Sequence, residues 1–90
     1  MNHDGIILEI ASLFMEMGAG PDVFDDLNYE RRKFWEAYNK FSKWAYDNST
    51  HMPTSFRVGK VRREENELVA DVYISSGDIE TLALRVRYQL

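Results

Sequence analysis

The chain has 90 residues, a net charge of −4 and no cysteine. That length is enough for one domain with one core and too short for two. The missing thiols exclude disulfide staples, thiolate metal sites and a cysteine nucleophile. Hydrophobic residues make up 44% and aromatics 13% of the chain, more than a disordered segment carries. Met1-Asn2-His3-Asp4 has no basic leader, and no apolar run approaches a membrane span. The expectation is a cytoplasmic protein with no membrane association. Charge is unevenly placed: residues 1–30 hold seven acids and no Lys or Arg, whereas residues 31–90 hold eight acids and all 11 bases.

The first helix is expected from Asp4 to Met17. Ile6, Ile7, Ile10, Leu13, Phe14 and Met17 recur at helical spacing, and Gly18-Ala19-Gly20-Pro21 is the punctuation of a helix end. Leu8, Ala11 and Met15 widen the apolar surface beyond one stripe. An acidic connection, Asp22-Val23-Phe24-Asp25-Asp26, follows.

The second helix is expected from near Leu27 to Tyr46, with Leu27, Phe34, Ala37, Tyr38, Phe41, Trp44 and Ala45 on the core side. Asp25 and Asp26 would complement its N-terminal dipole. Glu36, four residues before Lys40, would form a supporting ion pair. Residues 48–53 read as a polar loop.

From Ser55 the period becomes two. Phe56 and Val58 open a first strand. Leu68, Ala70, Val72 and Ile74 alternate in a second, and Leu82, Leu84, Val86, Tyr88 and Leu90 in a third. Glu64-Glu65-Asn66 and Ser76-Gly77-Asp78 read as three-residue hairpin loops, with Asn66 taking the left-handed conformation. Val58, Val72 and Leu82 would then face the core. A β-bulge at Gly59 would turn Val61 in and Lys60 and Arg62 out. The fold class is α+β: two N-terminal helices on one face of a three-stranded antiparallel meander, in the order ααβββ.

Candidates for chemistry are few. His3 lies in the N-terminal tail, where Met1-Asn2-His3 is a chance copper-binding arrangement. His51, near Asp47 and Ser49, sits in a loop that does not supply triad geometry. Asp22, Asp25 and Asp26 lack the alternating ligand spacing of a calcium loop. No cofactor loop or metal motif is present, so no cofactor is expected. Asp71 and Tyr73, placed with Arg57 and Arg85 on the outer sheet face, form a candidate acid–base pair for a small enzyme. Arg57, Tyr73, Arg85 and Arg87 are the candidate nucleic-acid or anion-binding set, although the chain is acidic overall.

The aromatic excess weighs more. Tyr29, Trp35 and Tyr46 fall off the core stripe of the second helix, and Trp and Tyr are residues that interfaces favour. The leading expectation is a non-catalytic module that binds another protein and forms a homodimer. An adaptor, an accessory subunit or a small inhibitor of the kind mobile elements encode would fit. Trp35, Tyr29 and Tyr46 are the expected anchors, with Asp22, Asp25 and Asp26 steering a basic partner.

Overall fold

The computed structural model describes residues 3–48 and 55–90. The first helix, α1, spans His3–Glu16. It ends because Gly18 takes φ +102°, a backbone region that glycine enters without a Cβ clash. The Ala19 N–H then donates to the Phe14 carbonyl at 3.0 Å and the Gly18 N–H to Met15 at 3.1 Å. This is the double bond pattern of a Schellman cap.

The acidic connection is itself helical. α2 spans Val23–Asn28 and α3 spans Glu30–Asp47. Tyr29, between them, keeps right-handed helical angles (φ −62°, ψ −32°), so α2 and α3 act as one bent helix. The polar run hid two apolar anchors. Val23 and Leu27 are four residues apart and both buried, and that burial outweighs the modest helix propensity of Asp25, Asp26 and Asn28.

The strands are β1 (Ser55–Glu64), β2 (Glu67–Ser76) and β3 (Ile79–Gln89), antiparallel in the order β1-β2-β3. The α+β class and the ααβββ order therefore hold. Both hairpin loops are shorter than expected. Glu64 pairs with Glu67 and Ser76 with Ile79, leaving two-residue turns. The left-handed position in the first is Glu65 (φ 53°), not Asn66.

Two bulges reconcile these turns with one apolar face. On β1, Val58 pairs with Val72 and Val61 with Ala70, so Gly59 and Lys60 together oppose Asp71. The expected bulge at Gly59 is present, and Val61 packs on the core. A Cβ at Gly59 would lie 2.7 Å from the Tyr73 ring and 3.3 Å from the Asp71 carbonyl, so glycine is what admits the ring this close to the strand. The second bulge, on β3, was not anticipated. Val72 pairs with Leu84 but Tyr73 with Leu82. Ala83 is the extra residue, and Leu82 is turned out of the core it was assigned to.

The helices cover one sheet face. Ile6, Ile7, Ile10 and Phe14 of α1, Val23 and Leu27 of α2, and Phe34 of α3 are buried against Phe56, Leu68, Val72, Ile74, Val86 and Tyr88. Phe34 meets Phe56 edge-on at 6.3 Å. The Tyr88 hydroxyl donates to Asp22 Oδ1 at 2.9 Å, tying the start of α2 to β3. That bond, with burial adding to it, raises the pKa of Tyr88 above its ordinary value.

Candidate functional site

Two surfaces carry the candidate residues. The first is the sheet face turned away from the helices. Its charges form a continuous chain: Glu67–Arg87 at 2.7 Å, Arg87–Glu64 at 3.5 Å, Glu64–Arg62 at 3.1 Å, Arg62–Asp71 at 3.0 Å and Asp71–Arg85 at 2.7 Å. Val69, in register with Arg62 and Arg87, is fully buried on this face. The aliphatic stems of the two flanking arginines account for its cover. A separate pair, Arg57–Glu80, has contacts of 2.6 and 3.1 Å, and the Arg57 guanidinium lies 4.6 Å from the Tyr73 ring centre.

The alternation of β1, β2 and β3 puts Arg57, Asp71, Tyr73, Arg85 and Arg87 on this face, but the pairing differs from expectation. Asp71 is held by Arg85 and Arg62, while Arg57 goes to Glu80. Glu67 meets Arg87 diagonally, since its direct register partner is Gln89.

The hydrogen bond from Arg85, followed by that from Arg62, pulls the Asp71 pKa below its usual range. Asp71 is thus a fixed carboxylate, unlike a general base poised near neutrality. Each of the four paired arginines has its own carboxylate, so the ion-paired face is balanced and offers little net field to a phosphate chain. The acidic N-terminal third does not cover it, because α1 and α2 lie on the opposite, apolar face.

The second surface is α3 with the neighbouring part of β3. Phe34, Tyr38, Phe41 and Ala45 form the inward stripe. Trp35 (49% exposed) and Tyr46 (78%) lie on one flank, with the Trp35 ring edge-on to Tyr38 at 6.0 Å. Tyr29 is exposed at the bend, its ring 5.5 Å from the Lys33 ammonium. Trp44, assigned from spacing to the core, is instead 44% exposed on the other flank. Ala45 takes the inward position, and the Trp44 ring packs at a tilt of 36° against Phe41, 5.5 Å between centres. Beside it lies an apolar groove of about 260 Å³ lined by Ala37, Lys40, Phe41, Ile74, Thr81, Leu82 and Ala83.

Neither the groove nor the exposure of Leu82 was legible in the sequence, because both depend on the β3 bulge. The exposure of Trp44 had a signal: a stripe through 34, 38, 41 and 45 is self-consistent and leaves position 44 about 90° from its centre. Among the described residues, Glu36 and Lys40 form no salt bridge, contrary to their spacing. The Lys40 ammonium at the groove has no carboxylate partner there.

Asp25 and Asp26 are exposed in the first turn of α2, whereas Asp22 is engaged by Tyr88. Among the described residues no group of His, Asp or Glu is placed to hold a metal ion. His51 and Ser49 lie outside the described residues, as does the His3 side chain. Among the described residues, no helix is long and apolar enough to cross a membrane. No protein-family model, curated protein or solved structure matches this chain.

Proposed function

We propose that this chain is a non-catalytic protein-binding module whose contact surface is α3 and the adjoining part of β3. One observation carries the reading. Trp35, Trp44, Tyr46 and Tyr29 leave much of their area in water on a single bent helix, with Leu82 exposed beside it. Large aromatic side chains supply most of the affinity of protein interfaces, and these four leave both flanks of one helix with exposed anchors. The module acts in the cytoplasm, self-associates as a homodimer through one flank of α3, and presents the other flank to a partner. Asp25 and Asp26 on α2 add a negative field that speeds the approach of a basic partner.

The test is light scattering across protein concentration, followed by alanine variants of Trp35, Tyr29 and Tyr46. The dimer dissociation constant should rise more than about fivefold in Trp35→Ala, equivalent to about 1 kcal/mol, while far-ultraviolet dichroism stays unchanged. A strict monomer in which none of these substitutions alters capture of any protein from lysate would sink the proposal.

A further inference from the structure

The groove between α3 and β3 has the wrong size and lining for a cofactor. Its volume of about 260 Å³ lies below the roughly 300–1,000 Å³ of pockets that enclose small molecules. A single bulky side chain fits that scale. Ala37, Phe41, Ile74, Leu82 and Ala83 form its walls, so the side chain it favours is apolar. Lys40 lines the same groove, and no salt bridge among the described residues neutralises it. The groove therefore combines an apolar slot with one cation, Lys40, at its edge.

The edge strand adds a constraint. β3 is unpaired within the sheet on the side away from β2, which would invite strand addition. The bulge at Ala83 falls at the groove and breaks the regular ladder that an added strand needs. Side-chain insertion is the mode left.

From this we infer that the groove docks an acidic peptide segment of another protein by inserting one bulky apolar side chain beside Leu82 and Phe41, with a flanking carboxylate on Lys40. The inference rests on the protein-binding reading and concerns only the groove at α3 and β3; the basic surface that Asp25 and Asp26 would steer faces α2, so the acidic segment is a separate part of the partner. Trp44 packs at a tilt against Phe41, which lines the groove.

The experiment pans a randomised seven-residue peptide library, displayed on phage, against the immobilised full chain. The selected peptide is then titrated into isotope-labelled protein. Selected sequences should share one Leu, Phe, Trp or Met flanked by Asp or Glu, and amide shifts should cluster at Lys40, Phe41, Leu82 and Ala83. Leu82→Asp should abolish binding. Lys40→Glu should weaken it about fivefold, the scale of a partly exposed ion pair, and Lys40→Arg should restore it. Dichroism would confirm that each variant is folded.

Enrichment of basic peptides, binding indifferent to Lys40→Glu, or shifts confined to Trp35 and Tyr46 would overturn the acidic-segment assignment while leaving the broader reading standing. Failure to select any peptide would also overturn it. So would self-association that disappears in Leu82→Asp, since the occupant would then be a second copy.

Discussion

Replacing Asp71 by Asn tests whether the ion-pair chain on the outer sheet face stabilises the fold. The side chain is nearly buried, at 12% exposure, and accepts one bond from Arg85 at 2.7 Å and one from Arg62 at 3.0 Å. A hydrogen bond to a charged group contributes about 1.5–3 kcal/mol, so two set an upper bound of about 3–6 kcal/mol. The loss is smaller because both arginines have other options. Arg85 is 43% exposed and turns to water, while Arg62 keeps Glu64 at 3.1 Å. Discounting for that solvation leaves about 2 kcal/mol, a fall in Tm of about 10 °C for a domain of this size.

Urea unfolding at neutral pH, followed by dichroism, measures this without the added ions that screen salt bridges. The pH dependence supplies a second reading. Asp71 has a folded pKa below its unfolded value, so its contribution is complete above about pH 4 and is lost as pH falls through the folded pKa. The gap between wild type and Asp71→Asn should therefore close in acid. A loss under about 0.5 kcal/mol at neutral pH, or a gap that shows no narrowing as pH falls below about 4, would refute the reasoning.

Other substitutions probe the backbone and the tie between α2 and β3. Gly59→Ala should destabilise by about 1–3 kcal/mol in urea, because its Cβ would lie 2.7 Å from the Tyr73 ring; an unchanged midpoint would mean the ring moves freely. Glu65→Gly should raise stability by about 0.5–1 kcal/mol, as the left-handed φ of 53° strains a side chain that glycine lacks; thermal melts decide the sign. Tyr88→Phe removes the 2.9 Å bond to Asp22 and should cost about 1 kcal/mol. The Tyr88 pKa is raised in the fold, so this contribution is complete below about pH 10 and lost as pH climbs through the folded value. An alkaline titration in which wild type and Tyr88→Phe lose stability in parallel would contradict that linkage.

By itself the sequence determined the elements and their order, because hydrophobic periodicity is a local property. The α1 stripe through Ile6, Ile10 and Phe14, the helix end at Gly18, and the period-two runs around Val72 and Val86 were all legible. So was the Gly59 bulge, since inward charge at Lys60 and Arg62 would otherwise conflict with burial. The helical character of Val23–Asn28 was not, because local composition argued for a loop and only burial of Val23 and Leu27 against the rest of the core overrides it.

Tertiary structure alone decided where the charges pair and where the groove lies. Asp71 takes Arg62 rather than Arg57 because the bulge puts one extra β1 residue opposite it. Leu82 and Trp44 belong to stripes that read as core. The β3 bulge at Ala83 turns Leu82 outward, and Ala45 leaves no inward place for Trp44. Register is cumulative along a sheet: one inserted residue changes the facing of every residue beyond it. At Gly59 the charges of Lys60 and Arg62 record the insertion, whereas at Ala83 no local pattern does.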